Sequence, residues 1–213
     1  MEELKKEARV VGVDDGPYHR GSKYSTIILT IYRLDRYVDA FLKGSVTTDG
    51  DDSSRVIAAI LEKSSHLGQT RCILSDGACL AGFNVLDLDD LAERTGVPVI
   101  TVSDSTPDTA SFESALKNNF DDWPIRLELV KRHPPVEVGL PDGICYVRHC
   151  GISLDSAKRI VRRATVHGRT PEPIRMSHMI ASLEKIVLGA HKSQMPKPMY
   201  FLSSQKWERW RDI

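Results

Sequence analysis

The chain has 213 residues, of which 41% are hydrophobic and 27% charged, enough to bury an α/β core without disulfide or metal staples. Its 29 Lys and Arg balance 29 Asp and Glu, so no global basic charge announces a nucleic-acid ligand, although a local basic face can coexist with an acidic site at zero net charge. The four cysteines (Cys72, Cys79, Cys145, Cys150) include no C-x-x-C pair, which argues against a zinc knuckle or dithiol motif and fits a reduced, cytoplasmic setting; no run of 18 apolar residues offers a membrane span, and the charged N-terminus carries no apolar signal segment.

In chain order, the β-branched run 10–13 reads as a buried strand that stops at the acidic turn Asp14-Asp15-Gly16-Pro17. Residues 25–32 and 36–48 read as two further strands, joined by a hairpin at Arg33-Leu34-Asp35. At 53–66 the period changes: Val56, Ile57, Ile60 and Leu61 share one helical face, with Asp52 or Ser53 at the cap. A strand over 71–75 ends in Asp76-Gly77. A helix over 85–94 is closed by Gly96, and a strand follows at 97–102. Helices are expected over 109–119 and 124–132, the second with Pro124 in its first turn; Pro134 and Pro135 then break the chain. A strand over 144–148, a helix over 154–164 and a last helix over 174–188, entered through Pro171-Glu172-Pro173, complete the pattern. The polar tail contains Trp207 and Trp210, read as docking the tail. With no repeat, low-complexity tract or linker, residues 1–213 read as one domain with a core at about 9–193 and a tail at 194–213. A hairpin meander followed by alternating strand and helix implies an α/β fold with a mixed sheet, antiparallel on one side and parallel on the other.

Two hydrophobic strands end alike, at Val13-Asp14-Asp15-Gly16 and at Ser75-Asp76-Gly77, and a third ends in Asp49-Gly50-Asp51-Asp52. Ligand sites of open α/β sheets collect at the carboxyl ends of strands. Carboxylates gathered there repel one another unless a cation neutralises them, and hard oxygen donors suit Mg²⁺ or Mn²⁺, the ions of phosphodiester hydrolysis. Each Asp-Gly is also an ordinary turn dipeptide, so the weight lies in the coincidence of three acidic strand ends. The Asp49 cluster lacks the spacing and closing Glu of an EF-hand. Lys158, Arg159, Arg162, Arg163, Arg169 and Arg175 form a basic series that reads as a solvated helix face or as phosphate contacts. Tyr18 and His19, beyond Asp15, either stack on a substrate base or decorate a turn; the segment 78–84 borders the Asp76 strand end.

The blocks Gly12-Val13-Asp14-Asp15-Gly16-Pro17, Thr47-Thr48-Asp49-Gly50-Asp51-Asp52, Ser75-Asp76-Gly77 and Ala81-Gly82-Phe83-Asn84-Val85 resemble the archaeal domain-of-unknown-function family ninety-nine, which is grouped with endonuclease V by fold. The resemblance spans about residues 9–193. It implies a ribonuclease H-like mixed sheet and a metal site in which Asp14 and Asp76 match the two catalytic aspartates of endonuclease V. Pro171-Glu172-Pro173-Ile174-Arg175 resembles the segment that opens the last helix of that family, and His178 falls near a position belonging to its metal site; Gly151-Ile152-Ser153-Leu154 resembles another helix entry. The family's catalytic Glu has no counterpart, so Asp49 or Asp51 would stand in for it, and the Pro-Tyr-x-Pro-Gly wedge is absent near Phe41-Leu42-Lys43-Gly44. The resemblance therefore implies a Mg²⁺- or Mn²⁺-dependent nuclease acting on DNA or RNA. Its metal ligands would be Asp14, Asp49, Asp51 and Asp76, with His178 taking part in catalysis and Asp15, Tyr18, Gly77 and Arg175 touching substrate. A non-catalytic nucleic-acid-binding module that kept the fold is the alternative.

Overall fold

The computed structural model describes residues 8–16 and 22–190. Three strands come first: β1 (Arg9–Asp15), β2 (Tyr24–Arg33) and β3 (Val38–Thr47). Helix α1 (Ser53–Glu62), strand β4 (Thr70–Asp76) and a small hairpin, β5 (Cys79–Leu80) with β6 (Asn84–Val85), follow. Then come α2 (Leu88–Thr95), β7 (Val99–Ser103), α3 (Thr109–Asn119), α4 (Trp123–Arg132), β8 (Val136–Leu140), β9 (Gly143–Cys150), α5 (Leu154–Ala164) and α6 (Glu172–Ala190). Seven strands form one sheet in the order β3-β2-β1-β4-β7-β9-β8. β1, β4 and β7 run parallel to one another, and every other pairing is antiparallel.

Strand alternation divides the core into two layers. Val11 and Val13, Ile73 and Val99 face one side with Ile57 and Leu61 of α1 and Leu91 of α2. Val10, Cys72, Leu74, Ile100 and Val102 face the other side with Ile160 and Val161 of α5 and Ile174 of α6. Helix α6 packs across β1 and β2. It can do so because Gly12 has no side chain: a Cβ there would lie 2.1 Å from the Pro173 carbonyl carbon. Ser177 of the same helix donates to the Gly12 carbonyl at 3.0 Å and shares a 2.7 Å hydrogen bond with Thr30.

The expected helix over 85–94 begins later, at Leu88, because Val85 pairs with Cys79 in the hairpin and the Asp87 carboxylate caps the backbone of Asp89 and Asp90. The helix expected to reach His66 ends at Glu62. Asp52 is the residue before α1 but gives no side-chain cap, since its carboxylate is bound by Thr47 and Asn84 instead. Strand β8 was not expected; the double proline hides it, and its alternate residues reach solvent. Tyr18, His19, Trp207 and Trp210 lie outside the described residues. No helix among the described residues is long and apolar enough to cross a membrane.

Candidate functional site

The carboxyl ends of β1, β4 and β7 lie side by side, and alternation decides where their acids point. Asp14 has the parity of Val10 and Gly12, so it faces α6. Asp15 faces the α1 side. Asp76 has the parity of Cys72 and Leu74, and Asp104, just past β7, continues that of Ile100 and Val102. Asp14, Asp76 and Asp104 therefore share one edge and one face.

Asp14 is 3% exposed. Its Oδ1 accepts from the Asp15 amide at 2.8 Å, and its Oδ2 lies 2.8 Å from Nδ1 of His178. Burial and then the Asp76 charge push the Asp14 carboxyl up to about 7, against the opposing pull of the Asp15 amide and His178. Asp76 reaches solvent at the rim, yet it is raised too, by surrounding protein first and by the charges of Asp104 and Asp15 next. Asp15 is raised by burial and is held by the Ala81 amide at 2.5 Å. Burial is the first cause at all three, and neighbouring carboxylate charges add to it at Asp14 and Asp76.

His178 arrives from a distant part of the chain: the Gly12–Pro173 contact sets α6 on β1, and His178 follows Ser177 over the end of that strand. Its side chain is 64% exposed, so one ring nitrogen holds Asp14 while the ring stays open to solvent.

Apart from Gly77, the remaining described residues singled out by sequence are engaged in other contacts. Asp49, at φ 57°, accepts from the Phe83 amide at 2.9 Å and donates its own amide to Ala81, so Asp49 and Asp15 grip the same turn. Asp51 lies at the surface, paired with Arg55 at 3.2 Å one helical turn on, and is not brought to the acidic edge. The Asp52 carboxylate, held below its usual range by Thr47 and Asn84 despite burial, is a structural anchor. Arg175 is forked onto Glu172 at 2.7–3.1 Å rather than left free for a phosphate. Gly77, at φ 63°, turns the chain out of β4 beside Asp76. On α5, Arg163 pairs with Asp35 and Arg162 donates to the Gly139 carbonyl.

Asp104 was missed. Its signal is in the sequence, because Val102-Ser103-Asp104 repeats the strand-Ser-Asp ending of Leu74-Ser75-Asp76.

The acidic edge fits a hard divalent cation by its chemistry: oxygen donors on rigid strand ends, raised carboxyls and an imidazole beside them. Its donors are still spread out. Among the described residues, the one group of three donor side chains already within 4.8 Å of one another is Asp89, His133 and Cys150. These have the donor types of a transition-metal site. In this structure Arg132 meets Asp89 at 2.9 Å, and burial with the Asp89 charge pushes the Cys150 thiol up to about 11.

The family model described as endonuclease dU matches residues 6–184. The chain belongs to the endonuclease dU family. Relatives include a UPF0215 protein of Methanothermobacter thermautotrophicus, 37% identical over 84% of this chain and 89% of its own length. Another, from Methanopyrus kandleri, is 38% identical over 85% and 93%. Among solved structures, a protein of unknown function from Archaeoglobus fulgidus shares 26% identity with a TM-score of 0.74, covering 83% of this chain and 97% of that one. Ciona intestinalis endonuclease V, solved with a 24-mer DNA containing inosine followed by a ribo-adenosine, gives a TM-score of 0.55 at 15% identity over 85% and 87%. Human endonuclease V gives 0.51 at 19% over 86% of each chain. The endonuclease dU fold is thus the expected ribonuclease H-like mixed sheet, related to endonuclease V in architecture. The expected family is met at the level of an endonuclease V-like group, under the description endonuclease dU.

Proposed function

We propose that this chain is a divalent-metal-dependent endonuclease that cuts a DNA or RNA strand beside a deaminated base, deoxyuridine in DNA being the first candidate. The observation that carries the reading is the shared acidic edge of Asp14, Asp76 and Asp104, with Asp14 pushed up to about 7 beside His178. The family description and the endonuclease V-like fold support it.

Asp14 and Asp76 are the residues to hold Mg²⁺ or Mn²⁺, with Asp104 beside them and Asp49 replaced in that task by its hold on the turn at Ala81–Phe83. When bound, the ion supplies charge neutralisation and Lewis acidity for phosphodiester hydrolysis. His178 orients the Asp14 carboxylate through Nδ1, and its exposed ring is placed to exchange a proton with substrate or water. Asp15 fixes the 81–83 turn from the opposite face.

Calorimetric titration with Mn²⁺ and incubation with labelled deoxyuridine oligonucleotides form the test. Wild type is expected to bind and to cut, and the Asp14→Asn/Asp76→Asn double variant to do neither. Unchanged Mn²⁺ binding by the double variant refutes the reading. The spread of the donors favours a second one, a nucleic-acid-binding module without catalysis. Salt-sensitive binding with no cleavage in Mg²⁺ or Mn²⁺ would select it.

A further inference from the structure

A second group of metal-ligating side chains lies away from the acidic edge. Cys150 closes β9, Asp89 is the second residue of α2, and His133 follows the last residue of α4. The fold brings their donor atoms together from these three distant places. Nε2 of His133 lies 3.1 Å from Oδ1 of Asp89, Sγ of Cys150 lies 3.1 Å from the same oxygen, and all three atoms fall within 4.8 Å of one another. Zinc bonds of about 2.0–2.2 Å to nitrogen or oxygen and about 2.3 Å to sulfur put tetrahedral donors roughly 3.3–3.7 Å apart. One ion therefore fits among these atoms with side-chain shifts of about 1 Å or less.

The Asp89 carboxylate divides its two oxygens. Oδ1 faces the imidazole and the thiol, while Oδ2 accepts from Nη1 of Arg132 at 2.9 Å. Metal-bound carboxylates are divided in the same way, with one oxygen on the ion and the other held by a donor that fixes its orientation. The charges also balance: a thiolate and a carboxylate neutralise a divalent ion, and Arg132 has Asp87 at 4.0 Å. Sulfur with imidazole selects Zn²⁺ over Mg²⁺ or Mn²⁺, which prefer the hard oxygens of the acidic edge.

The two places are separate. Cys150 pairs with Val99 and Val99 with Ile73, so Cys150 stands two strands across from β4 and three residues back from Asp76. Strand geometry makes that roughly 14 Å between the backbones. Cys150 packs with Val99 and Ile73 on the α1 side, the face opposite to that of Asp14 and Asp76. Its position gives an ion a task. Leu127 and Val130 are the last apolar side chains that α4 buries. Beyond them its end is tied down by polar groups, Lys131 to Glu113 of α3, and Arg132 and His133 to Asp89. Pro134 and Pro135 then lead directly into the edge strand β8.

We propose that Oδ1 of Asp89, Nε2 of His133 and Sγ of Cys150 bind Zn²⁺, with water as the fourth ligand, and that the ion clamps the end of α4 to α2 and β9. Binding breaks the S–H bond and forms a sulfur–zinc bond. The thiol proton passes to the buffer, the imidazole binds through an unprotonated nitrogen, and no electron is transferred.

Co²⁺ is the probe, because a thiolate ligand gives it a charge-transfer band in the near ultraviolet that oxygen and nitrogen donors do not. Full-length protein, stripped with EDTA and cleared of chelator, is titrated with Co²⁺ in excess Mg²⁺ to occupy the acidic edge. Wild type is expected to develop this band at one equivalent, together with the visible bands of tetrahedral cobalt, and Zn²⁺ to bleach both. Asp14→Asn/Asp76→Asn should keep the band. Cys150→Ser should lose it, and His133→Gln should need at least about tenfold more Co²⁺ to reach it. At about a hundred times its Kd, Zn²⁺ should raise the wild-type Tm by about 5–10 °C in the same buffer, and that of Cys150→Ser by less than half as much. If Cys150→Ser folds poorly, His133→Gln decides. No band in wild type, a band kept at full strength in the folded variants, or a band lost with Asp14 and Asp76 overturns the site and leaves a hydrogen-bonded cluster only. A band without a rise in Tm overturns the clamp.

Discussion

Replacing Asp14 with Asn keeps the shape of the side chain and removes a charge that the metal-free site holds unwillingly. Each pH decade by which a native carboxyl is displaced corresponds to about 1.4 kcal/mol. A carboxyl carried from 3.8 to about 7 burdens the ionised native state by at most about 4 kcal/mol. Part of that burden comes from the Asp76 charge, which titrates in the same range, so about 1–3 kcal/mol is expected from the substitution at pH 8. The sign follows from the raised native value. Below the unfolded value both states are protonated and nothing is lost. Stability then falls as pH climbs from about 4 through about 7, and the loss is complete above it. In EDTA at pH 8, Asp14→Asn should therefore melt about 3–9 °C higher than wild type, and the gap should close near pH 4. Excess Mn²⁺ should reverse the order by stabilising wild type alone. Differential scanning calorimetry across pH 4–8, with and without Mn²⁺, measures all three effects. A variant less stable than wild type at pH 8 in EDTA would refute the electrostatic account of the edge.

Gly12→Ala should destabilise by at least about 3 kcal/mol, because its methyl group meets backbone of α6 rather than a movable side chain; urea unfolding would measure it, and Mn²⁺ affinity should drop as His178 is displaced. Asp52→Ala should cost about 2–3 kcal/mol through loss of the hydrogen bonds from Thr47 and Asn84, with the loss read from the urea midpoint. Asp51→Ala, by contrast, should stay within about 0.5 kcal/mol of wild type and bind Mn²⁺ normally, since it removes one exposed ion pair. Asp104→Asn should weaken Mn²⁺ binding less than Asp76→Asn does; equal or greater loss by calorimetry would make Asp104 a principal ligand.

Much of the sheet was legible because its central strands are continuous hydrophobic runs that end in acids, and alternation alone puts Asp14 and Asp76 on one face. Helix α3 matched the expected span because Asp108 caps it and Phe120 leaves helical geometry, both local signals. What escaped was non-local. The Asp49 cluster scatters into three different tasks since Asn84 and Phe83, more than 30 residues on, decide what Asp52 and Asp49 bind. No pattern near Cys150 announces its partners; Asp89 and His133 meet there only once α2, α4 and β9 are folded together. Arg175 looked free in sequence but sits one turn from a buried Glu172 that claims it.

Asp14 and Asp15 are adjacent, chemically identical and aimed at opposite sides of the sheet. Nothing in the pair itself chooses which one meets His178. Gly12 makes that choice, as the place on β1 where the α6 backbone can land. It acts as an index mark for the chain: deleting the residue between Gly12 and Asp14 would bring Asp15 to His178 and force Asp14 into the buried slot of Val13, whereas one inserted residue would put Val13 beside His178 and leave that place without an acid. Function at this edge thus hangs on counting as much as on chemistry, and a one-residue indel here should be more damaging than substitution of any one acid.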